Sequence, residues 1–427
     1  MTTPLTKIIG LTFVVQLAIF AIGFLNNVLL SRWLGPAALG MVVLLFQIAE
    51  LIYKFTNFGM ESSVLYHVSS RRFPLQRIFG TAFSLALIFI LFAAVGTLVV
   101  FHTQLITLIF KKPEVDAVIS KAGWCVLLIA GLLVYEYGSK ITLGLQKYIT
   151  YNKMSLVRPL LLLVFLSLTQ MIWKLNITNA ILVYGISWFI PGILLWKNTL
   201  PFKPSCDPGL ARSFFSYGWK IMGANIFTFL SYRVDIFFIG YFWSPEMVGL
   251  YYVSLMIGER LHYLTQPTST ILFPATASSA EQQNKTPVLA RINFSVILLG
   301  AVVVALSAHW FIPLIFSSEF EASVTPLLIL LPGIVALTLP KILSADLSGR
   351  GIPQISMYIS ILIFILKVVL NMVTIPRMGI SGAALSSSIA YIFATILIGW
   401  TFKRITGTPI HKLFLIRWGD FKNIRNI

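Results

Sequence analysis

Two stretches decide how the rest of the chain is read: "RWLGPAALGMVVLLFQIAE" at 32–50 and "YFWSPEMVGLYYVSLMIGE" at 241–259. They align without a gap, placing Pro36 on Pro245, Gly40 on Gly249 and Glu50 on Glu259. Further on, "LIFKKPEV" near 108 echoes "LIFSSEFE" near 314. The chain is therefore expected to be a tandem repeat, with halves at 1–200 and 201–427. An even number of membrane crossings per half returns the chain to the same side. Halves of six spans each are then parallel, a pattern typical of transporters with a substrate site at the repeat interface.

Composition fixes the solvent. Of 427 residues, 57% are hydrophobic and only 11% are charged, with a mean hydropathy of +0.87. A soluble domain carries about 25% charged residues. The expected fold class is an all-α integral membrane protein with about twelve transmembrane helices in two six-helix pseudo-symmetric lobes. A span needs about 20 mostly apolar residues. The candidates are 8–31, 38–58, 76–101, 117–138, 155–173, 178–197, 214–241, 249–272, 289–316, 324–345, 354–375 and 380–402. The first is too long for the apolar core of a signal peptide and is read as a retained span.

The net charge of +18 is a matter of topology. Nucleic-acid binding would need a soluble basic patch, and the loops are too short to hold one. Counted by side, nineteen Lys and Arg fall with the N-terminus, the even-numbered loops and the basic tail, against six on the other side. The positive-inside rule then places both termini in the cytoplasm. The tail is also suited to anionic lipid headgroups. Two separated cysteines, Cys125 and Cys206, make neither a disulfide framework nor a metal site. No Walker A motif, zinc-ligand spacing or Ser/His/Asp pattern occurs, so neither a cofactor nor catalysis is expected.

A dozen charges remain inside or at the shoulders of the spans: Lys54, Arg158, Lys220, Arg233, Arg260, Lys341 and Lys367, with Glu50, Glu136, Asp235, Glu259 and Asp346. Each costs at least about 3 kcal/mol facing lipid at the bilayer centre, so most must face protein or a hydrophilic cavity. Helical spacing selects a face. Gln47, Glu50, Lys54, Asn57 and Glu61 make one stripe, and Glu259, His262, Tyr263, Gln266 and Thr270 make its repeat counterpart. Asn225, Thr228, Tyr232 and Asp235 make another. Arg233 points away from Asp235, so those two are not expected to pair. Small helix-bridging pairs, such as Glu50 with Lys54, are the competing interpretation.

The stretch "NNVLLSRWLGPAALGMVVLLFQIAELIYKFTNFGMESSVLYHVSSRR" at 26–72 resembles the opening of the Wzx-type polysaccharide and O-antigen flippases. These belong to the polysaccharide transporter family of the multidrug/oligosaccharidyl-lipid/polysaccharide exporter superfamily. The resemblance rests on the R-x-LGP-x-x-x-G turn, the "NFGM" ending and the basic loop. It implies alternating access and an undecaprenyl-diphosphate-linked oligosaccharide as cargo, as in lipopolysaccharide synthesis at the bacterial inner membrane. Proton or sodium coupling and polysaccharide polymerase machinery are the further partners it implies. Substrate-facing candidates are Lys54, Arg233, Arg260 and Lys367 for the diphosphate, with Asn57, Asn225, Tyr232, Tyr263 and Gln266 beside them. Ion-coupling candidates are Glu50, Asp235 and Glu259. A cation-coupled multidrug antiporter of the same superfamily is the alternative, and the excess of basic residues favours an anionic cargo.

Overall fold

The computed structural model describes residues 5–103, 106–107, 109–110, 118–197, 204–265, 268–269, 272, 276, 285–352 and 354–415. The described elements are helical. In chain order they are α1 (Leu5–Thr56), α2 (Met60–Ser70), α3 (Leu75–His102), α4 (Ala122–Gly144), α5 (Tyr148–Trp173) and α6 (Ile177–Lys197). Then come α7 (Pro208–Phe242), α8 (Pro245–Leu261), α9 (Thr286–Ile315), α10 (Val324–Ala336), α11 (Thr338–Gly349) and α12 (Gln354–Thr406).

Among the described residues nine helical runs are long and apolar enough to cross a membrane, not the expected twelve. The difference has local causes. α1 contains the first two expected spans and α12 the last two, each bent at a glycine with non-helical backbone, Gly35 (φ 70°) and Gly379 (φ 58°). Glycine tolerates these angles because it has no Cβ. α8 has 17 residues, about 26 Å at the helical rise and short of a roughly 30 Å hydrocarbon core.

The prolines of the repeat act as its punctuation. Gly35 leaves the helical region just before Pro36, and α8 begins at Pro245 after the non-helical Ser244. A residue before proline is pushed out of the α region, while proline itself suits the first helical turn. The Gly379 bend frees backbone carbonyls that lipid would leave unsatisfied. Trp243 Nε1 donates to the Ile375 carbonyl at 2.9 Å, and Thr374 Oγ1 donates to that of Gly382 at 3.0 Å.

The chain divides into two compact units, Met1–Phe229 with Ser244–Glu246, and Leu230–Trp243 with Met247–Ile427. In the first, α4 and α6 approach through small residues. A Cβ on Gly131 or Gly192 would meet the facing helix at 2.9 Å. In the second, Gly333 of α10 lies against Ser388 of α12, whose hydroxyl donates to the Ile329 carbonyl at 2.6 Å. Close backbone approach at small residues is how helices associate where lipid removes the hydrophobic drive. Outward faces are apolar instead of polar: Leu91, Leu306 and Trp310 are 68%, 72% and 77% exposed. The chain is a multi-pass integral membrane protein.

Candidate functional site

The intramembrane charges gather into local networks. In the second unit Asp235 and Lys367 are both fully buried, with Lys367 Nζ 3.1 Å from Asp235 Oδ2. The same oxygen accepts from Tyr251 Oη at 2.5 Å and Ser387 Oγ at 2.9 Å, and the ammonium lies 5.4 Å from the Tyr391 ring centre. A carboxylate and an ammonium can both stay charged away from water only when paired and hydrogen-bonded in this way. Asn371, one turn beyond Lys367, is buried with neither end of its amide bonded.

A second network of that unit is half-open. Arg233 forks onto Glu259, Nη1 to Oε1 at 2.7 Å and Nη2 to Oε2 at 3.0 Å, with the two side chains 24% and 29% exposed. The next residue, Arg260, lies 5.4 Å from the Tyr263 ring. Lys341 of α11 is close enough that the charges of Glu259 and Arg233 both act on it. Glu259 is thus bonded to one cation, adjoins a second in the chain and acts by charge on a third. The bidentate geometry that seats a carboxylate on Arg233 is also that which seats a phosphate.

In the first unit Lys54 lies 3.4 Å from Glu50 and 5.4 Å from the Phe229 ring. α1 ends at Thr56, and Phe58 and Gly59 take left-handed backbone before α2. Asn57 sits in that break. It donates to Glu61 at 2.5 Å and accepts from Tyr137 at 2.9 Å, while Tyr53 donates to the same Glu61 carboxylate. Glu136 pairs with Lys140 at 3.4 Å. The single stripe read from the sequence therefore divides. Gln47 and Asn57 are buried in protein, whereas Glu50 and Lys54 stay partly open.

Of the remaining candidates, Asn225 and Tyr232 are half-buried, with the Tyr232 ring 6.0 Å from that of Tyr391, and Tyr263 is half exposed. Gln266 lies outside the described residues. As expected, Arg233 and Asp235 do not pair with each other. Lys367, which had no evident partner on its own stripe, has Asp235. Tyr251 and Ser387 were not singled out in the sequence, whereas His262 was placed on the polar stripe and Lys341 among the intramembrane charges, neither as a substrate-facing candidate. The run Ser386–Ser388 in an apolar helix was the readable signal for Ser387. Among the described residues no group of three or more His, Cys, Asp or Glu is placed to hold a metal ion, and Cys125 and Cys206 are both unpaired thiols.

The fold is that of known transporters. It resembles the lipid II flippase MurJ in its inward closed conformation with a TM-score of 0.77 at 12% identity, covering 97% of this chain and 89% of that one. It also resembles an inward-facing multidrug resistance MATE transporter of the MOP superfamily, with a TM-score of 0.72 at 15% identity over 92% and 95% of the two chains. Among curated relatives, the "Probable low-salt glycan biosynthesis flippase Agl15" of Haloferax volcanii is 23% identical over 193 residues. That match covers 44% of this chain and 41% of the relative's own length. Residues 29–325, more than half of the chain, match the family described as polysaccharide biosynthesis protein, and the chain belongs to that family.

Proposed function

We propose that the protein is a flippase moving an undecaprenyl-diphosphate-linked oligosaccharide across the cytoplasmic membrane by alternating access. The observation that carries this reading is the half-open Arg233 fork on Glu259, with Arg260 next to Glu259 in the chain. It retains a net positive charge that a lipid diphosphate would neutralise. The Asp235–Lys367 pair, by contrast, is internally balanced and fully buried. Family membership and the flippases among its relatives support the same class of cargo. Within this reading the two bent helices each count as two crossings and α8 as one, giving twelve in two six-helix halves with both termini cytoplasmic. Membrane lipids, a proton or sodium gradient, and the polymerase that consumes the flipped unit are its partners.

The test is export in cells that depend on this chain, read as lipid-linked repeat units reaching the outer leaflet. A charge-assisted hydrogen bond contributes roughly 1.5–3 kcal/mol, so losing Arg233 should lower transport about tenfold or more. Arg233→Ala combined with Glu259→Ala separates the roles. If Arg233 serves only to neutralise Glu259, the double variant transports normally. If Arg233 receives the diphosphate, the double variant inserts normally but stays defective. Normal export by the double variant would overturn the cargo role of Arg233.

A further inference from the structure

Lys341 stands apart from the other buried cations. Lys367 is bound to Asp235 and Arg233 to Glu259, but among the described residues Lys341 has no ion-pair partner within bonding distance. The register of its neighbours shows what it faces. Ser254 of α8 donates to the Ser323 carbonyl at 2.7 Å, and Gly258 packs against Leu330 and Ile334, so α8 and α10 run side by side in parallel. His262 follows directly on the end of α8, in a short 3-10 turn. The next turn of the facing run brings Thr338 and Lys341, three residues apart on one side of α11. The Lys341 charge also acts on the His262 ring.

This corner holds unsatisfied polar groups. His262 is 3% exposed with neither ring nitrogen bonded, and Thr338 is fully buried with its hydroxyl unbonded. Buried polar groups are nearly always paired, so each such exception needs an explanation. Here Thr338 is one helical turn from Lys341 and His262 is within reach of its charge, a combination of donors suited to an oxyanion. Glu259 lies three residues before His262, in the last turn of α8. Its carboxylate is held by the Arg233 fork and acts by charge on Lys341 as well.

We propose that Lys341, His262 and Thr338 form a second oxyanion seat, and that the Glu259 carboxylate moves onto it when a phosphate of the cargo takes the Arg233 fork. The inference rests on the lipid-diphosphate reading above and deepens it. One guanidinium fork holds one oxyanion bidentately. A carboxylate displaced into a half-dry site with no new partner would oppose cargo binding. The seat removes that opposition. On the return stroke the carboxylate competes for Arg233 again and drives the phosphate off. Glu259 thereby sets a threshold that favours highly charged oxyanions over carboxylates.

The experiment measures binding of farnesyl diphosphate to the full chain in lipid nanodiscs. Glu259→Gln removes the built-in competitor and should bind about tenfold tighter than wild type, the effect of one charge-assisted contact. Lys341→Gln leaves the carboxylate without a seat and should bind about tenfold more weakly. The double variant decides the matter. With no carboxylate to seat, loss of Lys341 has no consequence, and affinity should match Glu259→Gln alone to within about twofold. A Lys341 that touched phosphate directly would weaken the double variant as much as the single one, which would overturn the relay. So would unchanged binding in Lys341→Gln or weaker binding in Glu259→Gln. Should Lys341→Gln not fold, His262→Phe makes the same test without removing a charge. It should weaken binding severalfold in the wild-type background and not beside Glu259→Gln, and equal weakening in both would sink the idea. Absence of any farnesyl diphosphate binding to the wild type would remove the cargo reading itself, whereas binding without this non-additivity removes the relay alone.

Discussion

At the scale of single residues the Asp235–Lys367 pair dominates. Removing one partner of a buried ion pair leaves an uncompensated charge, at a cost of about 3–5 kcal/mol, while replacing both by apolar groups is often neutral. Lys367→Met should therefore lower the melting temperature in detergent sharply. Lys367→Met with Asp235→Leu should recover most of it, less the hydrogen bonds that Tyr251 and Ser387 lose. Equal destabilisation by the single and double variants would show that the pair is held by packing alone. The same comparison for Arg233 and Glu259 should give a smaller effect, because water reaches those side chains and screens them.

Among the elements, the junction at the start of α7 carries the pH dependence. Asp207 caps this helix, accepting from the backbone N–H groups of Gly209 at 2.9 Å and Leu210 at 3.1 Å, and it pairs with Arg77. The Leu210 N–H and the Arg77 guanidinium hold its carboxyl below the usual range. Nearby, His67 of α2 donates through Nδ1 to the Ser63 carbonyl at 2.8 Å and accepts at Nε2 from Ser213 of α7. Burial pushes the His67 imidazole below its ordinary value. The signs follow by linkage. An unfolded chain takes up a proton at His67 near pH 6.5 while the folded chain resists it, so stability falls as pH drops through about 6.5. The Asp207 contribution is complete above about pH 4 and is lost as pH falls through its lowered value. Melting temperatures recorded against pH should show both slopes. His67→Gln should flatten the upper one and Asp207→Asn the lower. A profile that neither variant changes would assign the acid sensitivity elsewhere.

For the whole molecule the basic asymmetry is the quantity to test. Reporter fusions after Arg72, Lys203 and Lys412 should read cytoplasmic, and fusions after Lys112 and Glu319 should read external. An external reading after Lys412 would break the proposed twelve-crossing topology. This order of sides follows from Lys and Arg counts on short loops, which respond to the insertion machinery rather than to the folded packing.

Much of the protein was determined by its sequence. Hydropathy located the helices, because a segment in lipid must satisfy its own backbone hydrogen bonds and is therefore helical. The Gly35–Pro36 and Ser244–Pro245 registers marked equivalent breaks in the two repeats, because proline and glycine act locally on the backbone. Periodicity showed that Arg233 and Asp235 leave their helix on different sides. Which charge meets which was decided only by tertiary structure. Arg233 finds Glu259 on α8, 26 residues away, and Asp235 finds Lys367 on α12, 132 residues away. Periodicity assigns a side chain to a face but does not say which helix covers that face. For the same reason Glu50 and Glu259, equivalent by repeat, have different partners, Lys54 on the same helix and Arg233 on another. The isolation of Lys341 and the unbonded nitrogens of His262 exist only once α8 and α11 are brought to one level, because an unsatisfied polar group is a property of packing and has no trace in the chain that carries it.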